Sequence, residues 1–502
     1  MSTTREELEA DLAVGAKRWA SALYNAQGLC APMRFVPLTD EMMQCILTLA
    51  EAADDWEFDD PSRNVEDKLR LLLSATSGEG PRGEDGEVEE EERRREERDE
   101  ELRKRREEDA EQSDDDVLDF DPSSVDDAAA GLKATLLPQM ECVFEDFGPH
   151  GCFVKTHCRS AKDTVFDVPN ERLLKKWSAL LEGWDQDPHL VVDHRILGDD
   201  SSSCSPDMLN PGLLRKVPAF RAQYACNSFL EAGTEAMRST DSVDSLISFI
   251  RSTRVCRDLS RALEGTTNKQ EKSLGEEPYV VIQPWRVSCL PESEFRCFVR
   301  GGEIRAVSQY FYYCFYPELV LLKAEILSTI QSAWTQEIWP VLRTSLRLPA
   351  GEGNAAVDTF IVDLSVDFAG RGMKNSPCKE PRKGHQRCHD GDDRMLEAAK
   401  SKTTRTGTVF PVYVIELNPW RASTSACLFD WVKDAELLAG IGKLHEGPGP
   451  LQPQEQQNKN IEFRIVQQPL SDPLHTMVPA YRRIADAWVS HGILPKTEKI
   501  GS

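Results

Sequence analysis

Between Pro81 and Asp127 the chain carries 23 Asp and Glu against 9 Lys and Arg, a net of −14. The centre of this stretch, "EVEEEERRREERDEELRKRREEDAEQ", is almost pure charge. A segment of this kind has no apolar face to bury. It is either a solvated helix held by i,i+4 pairs or a disordered run, so no core is built from it. It therefore divides the chain into an N-terminal helical and extended segment (1–77), a charged low-complexity segment (78–125), and a main domain (126–500). Polar or Gly/Pro-rich runs near 196–212, 265–277, 370–408 and 445–460 read as flexible insertions in that domain. The sequence "SDDDVLDFDPSSVDD" just before it is either a short recognition peptide or a plain linker.

The formal charge of the 502 residues is −25, and about −11 remains outside the charged stretch. That balance argues against nucleic acid or an anionic membrane as a partner and allows a basic protein surface. No apolar run approaches the roughly 20 residues of a membrane span, and the opening residues lack the apolar region of a secretory signal. The 14 cysteines form no CxxC pair. They read as reduced thiols, and a cytoplasmic monomer is expected.

Elsewhere the periodicity alternates between helix and strand. "RFVPLTDEMMQCILTLAEA" is an extended piece, then Thr39 or Asp40 as an N-cap, then a helix. "GCFVKTHC" and "PYVVIQPW" are strands. "SEFRCFVRGGEIRAVSQ" is two strands joined at Gly301-Gly302, a two-residue hairpin turn. "PELVLLKAEILSTIQSAWTQEIWPVL" is a long helix, "VDTFIVDLSVDF" and "VYVIELNPW" are strands, and "PAYRRIADAWVS" is a closing helix. The class is α+β, with mainly antiparallel sheets and outer helices.

"VYVIELNPW", Val412 to Trp420, poses the chemical question. Its apolar residues describe a buried strand, and Pro419 ends the pairing. Glu416 and Asn418 are two apart, so they share a face. A buried carboxylate needs a partner: an Arg, a metal ion, or water at a cleft mouth. Asp363 lies in another strand, "TFIVDLSVDF". If the strands are neighbours, Asp363, Glu416 and Asn418 are hard oxygen donors for one cation, and so few donors suit Mg²⁺ completed by phosphates and water. Lys155, Lys162 and Arg296 are then candidates to hold the phosphates. "VVIQPW" could offer backbone groups to an adenine edge. The plainer alternative is structural: a strand carboxylate pairs with a base, and Arg296 pairs with Glu294 on its own strand face. No P-loop, GxGxxG or GxSxG is present. Cys378, His385, Cys388 and His389 in "CKEPRKGHQRCHDGDD" match no common zinc spacing.

In their order, "GCFVKTHCRSAKD", "VVIQPW", "EFRCFVRGGEIRAVSQ", "FIVDLSVD" and "VIELNPWRASTSACLFDW" resemble the cell division cycle protein 123 family. The resemblance implies an ATP-grasp-like fold, bound ATP and Mg²⁺, and assistance in assembling eukaryotic translation initiation factor 2 through its γ subunit. It implies ATP contacts at Lys155, Lys162, Val281, Ile282, Gln283, Trp285 and Arg296. It implies Asp363, Glu416 and Asn418 as metal ligands. This chain departs from the family in having Glu416 for Asp, Gln283-Pro284 for an Arg-Lys pair, Tyr310 for Arg, and Cys158 for Trp. Two other readings use the same residues: an ATP-grasp ligase or kinase activating a carboxylate, and a scaffold with a degenerate nucleotide cleft.

Overall fold

The computed structural model describes residues 16–59, 64–74, 122–166, 171–186, 218–267, 278–286, 290–346, 359–367, 410–422, 424–439 and 461–470. The bulk of the charged segment, the insertions near 196–212, 370–408 and 445–460, the four Cys and His residues of 378–389, and the expected closing helix lie outside these residues.

The N-terminal part gives helix α1 (Ala16–Gln27), strand β1 (Arg34–Pro37), helix α2 (Asp40–Asp59) and helix α3 (Val65–Ser74). Thr39 is the N-cap of α2, its hydroxyl accepting from the Met42 amide at 3.2 Å. Then follow α4 (Pro122–Phe147), β2 (Cys152–Thr156), the short α5 (Asp163–Phe166), α6 (Glu171–Gln186), α7 (Pro218–Ala236), α8 (Ser242–Arg251), α9 (Thr253–Thr267) and β3 (Tyr279–Pro284). Helix α4 begins at Pro122, four residues before the expected start of the main domain, and α9 runs through the first residues of the loop expected from 265.

The second half supplies β4 (Glu294–Arg300), β5 (Glu303–Gln309), α10 (Pro317–Ala333), a π-turn (Trp334–Ile338), α11 (Trp339–Ser345), β6 (Thr359–Val366), β7 (Val412–Pro419), the one-turn α12 (Ala435–Leu438) and β8 (Glu462–Arg464). The β4–β5 turn needs two residues with positive φ, and Gly301 and Gly302 supply +62° and +75°. Gly302 has a second reason to lack a side chain. A Cβ there would stand 2.3 Å from the Trp339 ring, and its carbonyl accepts from Trp334 Nε1 at 2.9 Å.

Two sheets result. The first, in order β1-β3-β2, is antiparallel throughout. The second, in order β7-β6-β4-β5-β8, is antiparallel except for the parallel β5–β8 pair. This is the α+β, antiparallel-rich class that the periodicity predicts. The first sheet is buried on both faces. Val36, Val154, Val280 and Ile282 pack into a core with α2, α3, α4, α8 and α9. Tyr279 and Val281 join the main core, with α7, α10, α11 and one face of the second sheet.

The opposite face of the second sheet is covered only in part. Phe298, Ala306 and Ile361 meet Ala426, Phe429 and Leu438 from the segment after β7. The remainder of that face holds the polar residues described next.

Candidate functional site

Cross-strand partners lie on the same face of a sheet, so register alone places a row of side chains. Arg464, Ser308, Arg296, Asp363 and Glu416 stand opposite one another across β8, β5, β4, β6 and β7. Asn418 pairs with Ile361, two places along on the same face. The sharing of a face by Glu416 and Asn418, and the adjacency of the Asp363 strand, agree with the spacing of the sequence.

A bulge makes this possible. In β7 the register steps from Asp363↔Glu416 to Leu364↔Val414, leaving Ile415 as the extra residue. Val412, Val414, Leu417 and Pro419 are buried, whereas Glu416 and Asn418 are only half-buried. Simple alternation would put Glu416 and Asn418 on one face with Val412 and Val414. The bulge shifts the phase by one residue, so the apolar positions keep to the core and the polar pair takes the opposite face. Pro419 is the last paired residue of the strand.

The partners differ from the simplest expectation. Arg296 does not pair with Glu294. It makes a two-point contact with Asp363, Nε to Oδ1 at 2.8 Å and Nη2 to Oδ2 at 2.7 Å, and donates Nη1 to the Ser425 carbonyl at 2.7 Å. The residue pair is 4% and 2% exposed. The cause is register: Asp363 is directly across the ladder, whereas Glu294 is two places along the same strand. Asn418 adds a third donor to Asp363, Nδ2 to Oδ2 at 2.9 Å. The ion-pair partner of Glu416 is a lysine. Lys155 reaches from β2 to within 3.6 Å of Glu416 Oε2.

Lys162 completes the cluster. It sits in the turn before α5, with its ammonium 5.8 Å from the Tyr310 ring centre, while the Arg296 guanidinium lies 4.8 Å from the same ring. Burial pushes the Asp363 carboxyl up, against the opposing pull of Arg296. Burial also acts to raise Glu416, but Lys155, Lys162 and Arg296 outweigh it and leave the group lowered.

Two further members escape sequence reasoning. Glu294 is pushed up to about 7, first by burial, with Lys162 opposing and Asp363 reinforcing. Arg286, directly after Trp285, places its guanidinium 4.2 Å from the Tyr413 ring centre, and Tyr413 is across the ladder from Ser365. Nothing in the sequence gives the burial of Glu294. The motif order points past Arg286 to the two positions before the Trp.

The four candidates on and just after β3 fall into two groups. Val281 and Ile282 are buried, and their backbones lie between ladders to β1 and β2. Those ladders occupy the backbone groups that an adenine edge would use. Gln283 lies beyond the β1 ladder, which ends at Ile282, and Trp285 donates its amide to the Gly151 carbonyl at 2.9 Å. An adenine contact through this strand is therefore confined to its end.

A metal held here would need ligands beyond the cluster itself, such as phosphate oxygens. Among the described residues no group of three or more His, Cys, Asp or Glu is arranged as a metal site. The oxygen set is two carboxylates and an amide, to be completed by other ligands. Lys155, Lys162 and Arg296 already balance Glu294, Asp363 and Glu416. A bare dication would add uncompensated charge, and phosphate oxygens offset it.

Fold and site together define an α+β protein with a cluster of mixed charge on one face of its five-stranded sheet. Residues 228–367 match the D123 family model, which supports the resemblance to the cell division cycle protein 123 family. The matched stretch holds Val281 to Trp285, Arg296 and Asp363, and leaves Lys155, Lys162, Glu416 and Asn418 outside it. Solved structures of Cdc123 from Schizosaccharomyces pombe, one of them C-terminally truncated, are similar at 11% identity. They match with TM-scores of 0.39 for the truncated form and 0.38 for the other, over 93% of this chain and 99% of theirs. A likeness at that level adds nothing to the family match. No curated protein matches the chain.

Proposed function

We propose that the chain binds ATP with Mg²⁺ at this cluster and acts as an assembly factor for eukaryotic translation initiation factor 2, engaging its γ subunit. The observation that carries the reading is the meeting of two groups of residues from separate sheets. Lys155 and Lys162, on β2 and the turn beyond it, converge on Asp363, Glu416 and Asn418 of the second sheet. Cations for phosphate and oxygens for a metal thus share one face. Lys155 and Lys162 would hold phosphate oxygens as point charges. Asp363, Glu416 and Asn418 would hold the metal, which supplies charge neutralisation between the phosphates. Arg296, already bound to Asp363 and Ser425, would orient Asp363 instead of contacting phosphate.

The assembly role follows the family match and the order of the motifs. The test is calorimetric titration of the full chain with ATP–Mg²⁺, followed by capture of initiation factor 2 γ with and without the nucleotide. Saturable binding that Lys155→Met weakens by roughly tenfold, the worth of one charge-assisted contact, supports the site. No binding at millimolar ATP would favour the degenerate scaffold, for which the Gln283-Pro284 end of β3 speaks. ATP turnover that requires an added carboxylate acceptor would favour the ligase.

A further inference from the structure

Lys162 lies on a loop of five residues, His157 to Ala161, plus its own turn, between β2 and α5. Such a loop would ordinarily be the least fixed part of a site. Here it is tied at three points. At its start, Thr156 and Arg159 close a tight turn: the Thr156 amide donates to the Arg159 carbonyl at 2.9 Å, and the Arg159 amide to Thr156 Oγ1 at 3.2 Å. The Arg159 side chain then makes a two-point contact with Asp258 of α9, one arm at 3.1 Å. At the other end, Asp163 is 7% exposed and grips the first turn of the same helix. Its Oδ1 accepts from Ser252 Oγ at 2.6 Å, and its Oδ2 from the Arg254 amide at 3.1 Å.

The chemistry of these ties is that of a helix cap borrowed from elsewhere in the chain. The first amides of a helix lack internal acceptors. Ser252 satisfies Val255 at 3.1 Å, and Asp163 satisfies Arg254. A carboxylate at a helix N-terminus is also favoured by the helix dipole. Asp163 and Asp258 are 95 positions apart, yet both ends of the loop are fixed to one helix. That helix packs on α2 and α8, within the core behind the first sheet.

We infer that Asp163 and Arg159 are positioning residues for Lys162, clamping the loop that carries it to α9 so that its ammonium is aimed at the carboxylate cluster. This inference deepens the nucleotide reading and rests on it for its functional consequence. It makes α9 and the helical layer behind it part of the site without touching the ligand. A shift of α9 would withdraw Lys162 while leaving Lys155, fixed by the β2–β3 ladder, in place.

The experiment has two readouts on the full-length chain. The first is the acetylation rate of Lys162 by a soluble amine-reactive ester, read by mass spectrometry against Lys433, whose side chain is 83% exposed. In the wild type Lys162 should react more slowly than Lys433. Asp163→Ala should bring its rate towards that of Lys433, with Lys155 unchanged. The second is a double-mutant cycle on the Kd for ATP–Mg²⁺. Asp163→Ala should weaken binding several-fold in the wild-type background and less than about twofold when Lys162 is already Ala, because contacts in one network are non-additive. If Asp163→Ala does not fold, Arg159→Ala serves in its place, since that side chain is 46% exposed. An unchanged Lys162 rate, or an equal loss of affinity in both backgrounds, overturns the clamp. If the wild type binds no ATP, the nucleotide reading fails, and the acetylation rate still decides whether Lys162 is clamped.

Discussion

The Arg296–Asp363 pair allows a sharp test of what holds the second sheet together. Both groups are almost fully buried, and each of the two Asp363 oxygens accepts from the guanidinium. Replacing Arg296 by Ala leaves a buried carboxylate with Asn418 as its remaining donor and takes the donor from the Ser425 carbonyl. Removing one partner of such a pair costs about 3–5 kcal/mol, mostly for the charge left behind. Asp363→Ala should cost a similar amount by stranding the guanidinium. Replacing both with apolar residues of similar volume, Arg296→Met with Asp363→Leu, removes both charges at once. The cost then falls to that of an unsatisfied Asn418 amide and Ser425 carbonyl, about 1–3 kcal/mol for each. The double variant should thus cost about as much as either single variant and far less than their sum. Urea unfolding measures this, followed by the fluorescence of Trp420 and Trp431, which pack against Phe298 of β4. The midpoint should fall with the slope unchanged. Single variants costing under about 1 kcal/mol, or a double variant that simply adds them, would refute the idea that the pair is desolvated and mutually dependent.

Other consequences can be checked separately. Glu294 has a folded pKa raised from 4.5 to about 7, so the folded state keeps a proton that the unfolded chain releases. Stability should therefore decline as pH rises from about 4.5 to 7 and then level off. Glu294→Gln should flatten that decline in urea midpoints taken across the range, and an unaltered profile would contradict the burial of this carboxyl. In the β4–β5 turn, Gly301→Ala meets open space and bears only the cost of its positive φ, about 1–2 kcal/mol. Gly302→Ala adds a collision with Trp339, for a further 1–3 kcal/mol. Equal thermal shifts for the two would show that the ring yields freely.

Much of the fold is written in local pattern. The hairpin at Gly301-Gly302 is legible because only a primed turn needs two positive φ values in succession. β6 and β7 are legible as short apolar runs between polar ones. The phase of β7 is not, since an apolar run gives no sign of where alternation slips, and Ile415 looks like any other strand residue. β8 is also missed: Glu462 to Arg464 is too short to show a period. It is held by non-local contacts, including Arg464 to Asp434 at 2.8 Å. Site residues follow the same division. Glu416 and Asn418 stand out as polar intrusions, and Lys155 as a charge in a strand. The partner of Arg296 depends on which strand lies beside β4, a fact held by residues 67 positions away. The role of Asp163 depends on a helix start some 90 positions further on. No local window contains either.

The connectivity of the first sheet also bears on how the chain acquires its shape. β1 and β2 each pair with β3 and not with each other, and β3 begins at Tyr279. Until that point leaves the ribosome, both earlier strands lack the template they need. At typical synthesis rates the interval between Thr156 and Pro284 is on the order of ten seconds. Through it, Val36, Val154 and their neighbours wait with no strand beside their backbone. The contact order is correspondingly high, with Phe35 meeting Val281 across most of the N-terminal half, which slows folding. Lys155 can be brought to Glu416 only after this late closure and the arrival of β7. The cluster is therefore among the last features of the molecule to form, and a nascent chain that stalls before residue 284 would expose two sticky edges and no site.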